Sequence, residues 1–128
     1  MLSAEKKTIL RTLVALAWAD GRVEDEELDV VDVLLAAFYA DEDDADEIRA
    51  FAAQPRTLDD VDVSGLSPSD RELCLQQAVF VSYTDGNQSL SERAVIGQLV
   101  GKLGLETEHA RRLIHSAEER ARALFNLA

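Results

Sequence analysis

The chain carries its own template. At a series of positions a residue in the first half meets a residue of the same kind 65 positions later with no gap between the copies, so that Ile9 matches Cys74, Val14 matches Val79, Leu16 matches Val81 and Trp18 matches Tyr83. The register continues with Asp20-Gly21 on Asp85-Gly86, Glu27 on Glu92, Val31 on Ile96, Leu34 on Leu99, Phe38 on Leu103, Ala45 on Ala110 and Ile48 on Leu113. Such a chain must fold twice into the same local structure. Its period exceeds the roughly 20 to 50 residues of solenoid repeats, which predicts two copies packed face to face about a pseudo-twofold axis.

Within each copy the apolar residues recur at helical spacing, no alternating strand pattern is present, and only six Gly and two Pro interrupt the chain. The expected fold is all-α, a compact bundle of six to seven helices built from two three-helix repeats. The first helix starts at an N-cap, Ser3, and runs to about Ala19, burying Ile9, Leu10, Leu13, Val14, Leu16 and Ala17; Gly21 stops it. The second spans about Glu24 to Tyr39 and buries Leu28, Val31, Leu34, Leu35 and Phe38. The third follows the acidic run Asp41 to Asp44, carries Ile48 and Phe51, and ends before Pro55.

Residues 56–66 show no helical face and read as a connector with one short turn of helix. Ser67-Pro68, an N-cap followed by Pro at the first helical position, opens the fourth helix, which runs through Tyr83 with Leu73, Leu75, Val79 and Phe80 as its apolar candidates. The fifth spans about Ser89 to Leu103, buries Val95, Ile96, Leu99 and Val100, and stops at Gly104. The sixth begins near Thr107 and shows Ala110, Leu113, Ile114, Ala117, Ala121, Leu124 and Phe125 on one side. With 128 residues, 47% apolar and 30% charged, the chain fits one domain that buries roughly two thirds of its unfolded surface. Repeat 1 occupies residues 3–55 and repeat 2 residues 67–127.

Charge narrows the classes of partner. Thirteen Lys and Arg against twenty-five Asp and Glu leave a net charge of −12, so a nucleic-acid backbone is repelled instead of releasing counterions to the protein. Residues 20–62 hold sixteen acids and three Arg, a net −13, and the remainder is near neutral at +1. Two readings of that acidic segment stay open. It is a solvated surface with acids favourably placed at helix N-termini, or it is a face, centred on Asp41, Glu42, Asp43 and Asp44, that docks a basic protein partner. The longest apolar run, Val33 to Ala40, is eight residues, far short of the roughly 18 to 20 that cross a bilayer. The first residues lack a signal-peptide layout and a single cysteine, Cys74, forms no internal disulfide, so a cytoplasmic location is expected.

The string with chemical content is Asp-Gly, five residues, Glu, and it occurs twice between helices: Asp20-Gly21 to Glu27 and Asp85-Gly86 to Glu92. It matches the second half of an EF-hand loop, in which a ligand Asp precedes the turn Gly and a Glu opens the outgoing helix. The first half is missing, because the two earlier ligand positions hold Leu16 and Trp18 in one copy and Val81 and Tyr83 in the other. Neither loop alone supplies the six or more oxygens that calcium takes. Two symmetric copies could pool Asp20, Glu27, Asp85 and Glu92 around one divalent cation, with water completing the shell and Glu24 and Ser89 as further candidate oxygen ligands.

Helix punctuation competes with that reading. Gly21 and Gly86 suit the left-handed residue that closes a helix, and Ser89-Leu90-Ser91-Glu92 is a capping box. Capping leaves Asp20 and Asp85 unexplained, since an acid in the last turn of a helix opposes the macrodipole. Other groups reduce to ordinary packing. His109 and His115 stand six apart, about 240° round a helix, and cannot grip one metal; both are expected at the surface. Cys74 is a small buried hydrophobe, and Trp18 and Tyr83 are packing residues. There is no phosphate loop and no nucleophile with an obvious His partner, so no enzymatic activity is expected.

The segment Leu13-Val14-Ala15-Leu16-Ala17-Trp18-Ala19-Asp20-Gly21-Arg22-Val23 with Glu27, and the segment Ala78-Val79-Phe80-Val81-Ser82-Tyr83-Thr84-Asp85-Gly86 with Glu92, resemble the two signature segments of the TerB-like family. That family includes the tellurite-resistance protein TerB and the N-terminal domain of membrane-anchored DnaJ-like co-chaperones. The resemblance extends over nearly the whole chain and implies a compact helical fold of about seven helices, no established catalytic activity, and an acidic metal-binding or metal-sensing site at the paired turns, here Asp20, Glu27, Asp85 and Glu92. It also implies work in a stress-response assembly near the inner membrane. The second copy departs from the pattern at Gln88, which stands where the first has Val23.

Overall fold

The computed structural model describes residues 2–19, 32, 34–82 and 90–124, with the side chains of 91 and 92 left out. Among these residues all regular structure is helical: α1 (Ala4–Ala19), α2 (described at 32 and 34–37), α3 (Glu42–Ala52), a 3-10 turn η1 (Leu58–Asp60), α4 (Pro68–Ser82), α5 (Leu90–Leu103) and α6 (Thr107–Leu124). The all-α class is therefore observed, with six α-helices among the described residues. The chain divides into two compact units, Met1–Asp62 and Val63–Ala128, and the division falls inside the connector.

Unit 1 is organised around α1. Ser3 caps it, its Oγ accepting from the Lys6 N–H at 3.2 Å, and the six residues expected to form its stripe are all buried. Burial goes further round the helix, taking in Thr12 and Ala15. A buried hydroxyl needs a partner, and Thr12 Oγ1 donates to the Thr8 carbonyl at 2.9 Å. Each Leu or Ile sealed here contributes on the order of 1.5–3 kcal/mol. α3 packs on α1 through Ala45, Ile48 and Ala52, and the Trp18 indole N–H donates to the Ala52 carbonyl at 3.1 Å, tying the ends of the two helices together. Phe51 is half-buried. Its ring lies 4.3 Å under the Arg56 guanidinium, whose Nε also donates to the Phe51 carbonyl at 2.7 Å.

η1 is the single helical turn expected in the connector, held by reciprocal capping. Thr57 Oγ1 accepts from the Asp59 N–H at 3.2 Å, and Asp60 Oδ2 accepts from the Thr57 N–H at 2.8 Å. Leu58 and Val61 of the connector are buried in unit 1, and Val63 and Leu66 in unit 2.

In unit 2, α4 packs on α6 and on α5. Cys74, Leu75, Ala78, Val79, Val81 and Ser82 form its buried face. Leu73 and Phe80 do not belong to it: Leu73 is 39% exposed and Phe80 half-buried. Leu73 lies about 200° round the helix from Leu75, so the two cannot share a neighbour, and Leu75 has it. α5 buries Ile96, Leu99 and Leu103, leaving Val95 and Val100 half-buried. α6 approaches α4 with Ala110, Ala117 and Ala121, small side chains that let the two backbones come close, while Leu124 is 67% exposed. The Arg71 guanidinium fastens three pieces of unit 2, donating to the carbonyls of Leu66 at 3.0 Å, Leu103 at 2.8 Å and Ser64 at 3.1 Å. One of these is the last carbonyl of α5, where a cation also meets the negative end of the helix dipole.

The repeat is legible in the backbone as well. Gly104 closes α5 at φ 68°, and 65 residues earlier Tyr39 closes α2 at φ 56°. Tyr39 and Ala40 donate to the carbonyls of Ala36 and Leu35, and Gly104 and Leu105 donate to those of Gly101 and Val100. α3 starts at Glu42 and α6 at Thr107, the same offset again.

Candidate functional site

Equivalent helices precede the two Asp-Gly pairs in the chain. α1 ends at Ala19, one residue before Asp20 and next to Trp18, which is anchored on Ala52. α4 ends at Ser82, whose buried hydroxyl donates to the Val79 carbonyl at 2.6 Å. After the second Asp-Gly pair in the chain, α5 begins at Leu90 and carries Glu92 in its first turn of helix. Asp20, Glu24, Glu27, Asp85 and Ser89 lie outside the described residues, as does the Glu92 side chain. Among the described residues no three or more His, Cys, Asp or Glu side chains are grouped to hold a metal ion.

The four acids expected to form a docking face are described, and they separate into three roles. Asp41 is the N-cap of α3, its Oδ1 accepting from the Asp44 N–H at 2.8 Å. That hydrogen bond favours the ionised form and holds the Asp41 carboxyl below its ordinary pKa. Glu42 and Asp43 are exposed. Asp44 is turned inward, with only 2% of its surface exposed. Its Oδ2 accepts from the Leu2 N–H at 2.7 Å, and Oδ1 stands 3.5 Å from Lys7 Nζ. Asp44 is therefore a structural carboxylate of unit 1 and not part of a solvent-facing patch. The helical period explains the placement, because Asp44, Ala45, Ile48 and Ala52 are the buried face of α3.

Other acids of α3 complete the surface. Asp46 is exposed; Glu47 is engaged by Lys7 at 3.2 Å and by Arg11. The Glu47 hydrogen bond, with a further contribution from Asp44, raises the Lys7 pKa above its ordinary value. Arg49 meets Asp32 at 3.0 Å. The strongly exposed acids of α3 are Glu42, Asp43 and Asp46, the last within 3.9 Å of Arg49, a shifted set compared with the run Asp41 to Asp44.

In unit 2 the position equivalent to Asp41 is Glu106, and it does the same work: its carboxylate accepts from the Glu108 N–H at 3.0 Å and the His109 N–H at 2.9 Å. These two bonds hold its pKa below the ordinary value. His109 reaches across to α4, with Nε2 3.2 Å from Glu72 Oε2, and His115 lies 3.1 Å from Glu119 on its own helix. Both are at the surface or half-buried, on separate carboxylates. Cys74 is fully buried.

Two features escaped the sequence reading. Arg71 carried no motif, since its acceptors are main-chain carbonyls that any residue supplies. Tyr39 could have been found, because the repeat register sets it opposite Gly104, a residue chosen for positive φ. No described helix is long and apolar enough to cross a membrane. Comparison of the chain with family models, with curated proteins and with solved structures finds no match.

Proposed function

We propose that this chain is a non-enzymatic TerB-like module in which the carboxylates of the two Asp-Gly turns, Asp20, Glu27, Asp85 and Glu92, hold a divalent cation, calcium by the all-oxygen donor set. Metal occupancy is coupled to a protein partner in a stress-response system resembling tellurite resistance. In this reading the protein works in the cytoplasm, peripheral to the inner membrane through its partner, and binds no nucleic acid. The observation that supports it is the depth of the duplication. The Asp-Gly-x5-Glu string recurs at an offset of 65, and the left-handed helix ends at Tyr39 and Gly104 and the capping acids Asp41 and Glu106 recur at that same offset. A plain capping role accounts for the glycines but not for an acid before each of them.

Calorimetry and thermal melting with calcium chloride test this. Saturation at 100 times the dissociation constant stabilises the native state by about 2.7 kcal/mol, and the Asp20→Asn/Asp85→Asn double variant abolishes both the heat and the shift. No heat and no shift at millimolar calcium would overturn the metal reading.

A second reading is favoured by one observation, the exposed acids Glu42, Asp43 and Asp46 on α3. Here the module docks a basic protein surface without metal. Neutralising those three, and not Asp41 or Asp44, whose carboxylates serve the fold, weakens a salt-sensitive association without unfolding the module. An association indifferent to ionic strength and to that triple substitution sinks this reading.

A further inference from the structure

We draw no further inference here: the strongest candidate, the exposed face of α5 formed by Leu90, Ala94, Gly97 and Gly101, is a stripe of small residues with one leucine, and nothing in the structure shows what covers it.

Discussion

Tyr39 and Gly104 occupy one conformation with opposite chemistry. Both have φ in the left-handed region, where a side chain beyond Gly costs roughly 1–2 kcal/mol. A Cβ built on Gly104 would lie 3.6 Å from Arg71 Nη1, an ordinary contact, so Gly104→Ala is opposed by the backbone and not by a clash. Tyr39 is 91% exposed, and little packing is lost on removing its ring. Glycine adds roughly 0.4–1 kcal/mol of unfolded-chain entropy, less than the strain it relieves. The expected outcome in urea titrations is a pair of opposite signs: Tyr39→Gly raises stability by about 0.5 kcal/mol, and Gly104→Ala lowers it by about 1 kcal/mol. Equal signs would mean that one of the two is not held in the left-handed region.

At the scale of the element, caps and periodicity made most of the helices readable. The starts of α1, α4 and α6 and the stop at Gly104 follow from residues that bond within their own turn, as Ser3 does with Lys6 and Ser67 with Asp70 at 3.1 Å. Among the described residues the N-caps of α3 and α6 are carboxylates, and they make helix stability depend on pH. Asp41 and Glu106 both have folded pKa values below their ordinary ones because they accept backbone N–H bonds. A depressed carboxylate contributes stability that is complete above its unfolded pKa and is lost as pH falls through the folded value. Acid melts from about pH 5 downward are therefore expected to be shallower in Asp41→Asn/Glu106→Gln than in the parent, because the amide oxygens keep the Asp41 bond and one of the two Glu106 bonds without titrating. Unchanged slopes would show that other carboxylates carry the acid transition. Which apolar residues of a helix lie in the core was less readable. In α4 the pattern offered Leu73 and Phe80 as well as Leu75 and Val79, and only the latter pair is sealed.

For the whole molecule, charge is the dominant long-range term. Met1–Asp62 holds seventeen acids and six bases, a net −11, against eight and seven, a net −1, in Val63–Ala128. Self-repulsion in unit 1 is offset locally by the Lys7, Arg11 and Arg49 pairings, but these are surface pairs of modest worth, roughly 0.2–1 kcal/mol each. Screening is therefore expected to help more than it harms. The melting temperature should rise between low ionic strength and about 0.5 M sodium chloride, where the Debye length falls well below 10 Å. A fall would show that the ion pairs outweigh the repulsion.

Length, the 65-residue register, the helical period and the placement of acids were all legible in the residues, because each depends on chain neighbours within a turn or two or on simple counting. Periodicity says which side chains share a face; it does not say which face meets another element. That choice placed Asp44 inside with Leu2 and Lys7 while Glu42 and Asp43 stayed in water, turned Leu73 outward, and sent Arg71 across to the last carbonyl of α5. Those outcomes depend on contacts between residues distant in the chain, 42 positions apart for Leu2 and Asp44 and 32 for Arg71 and Leu103, and no local pattern encodes such separations.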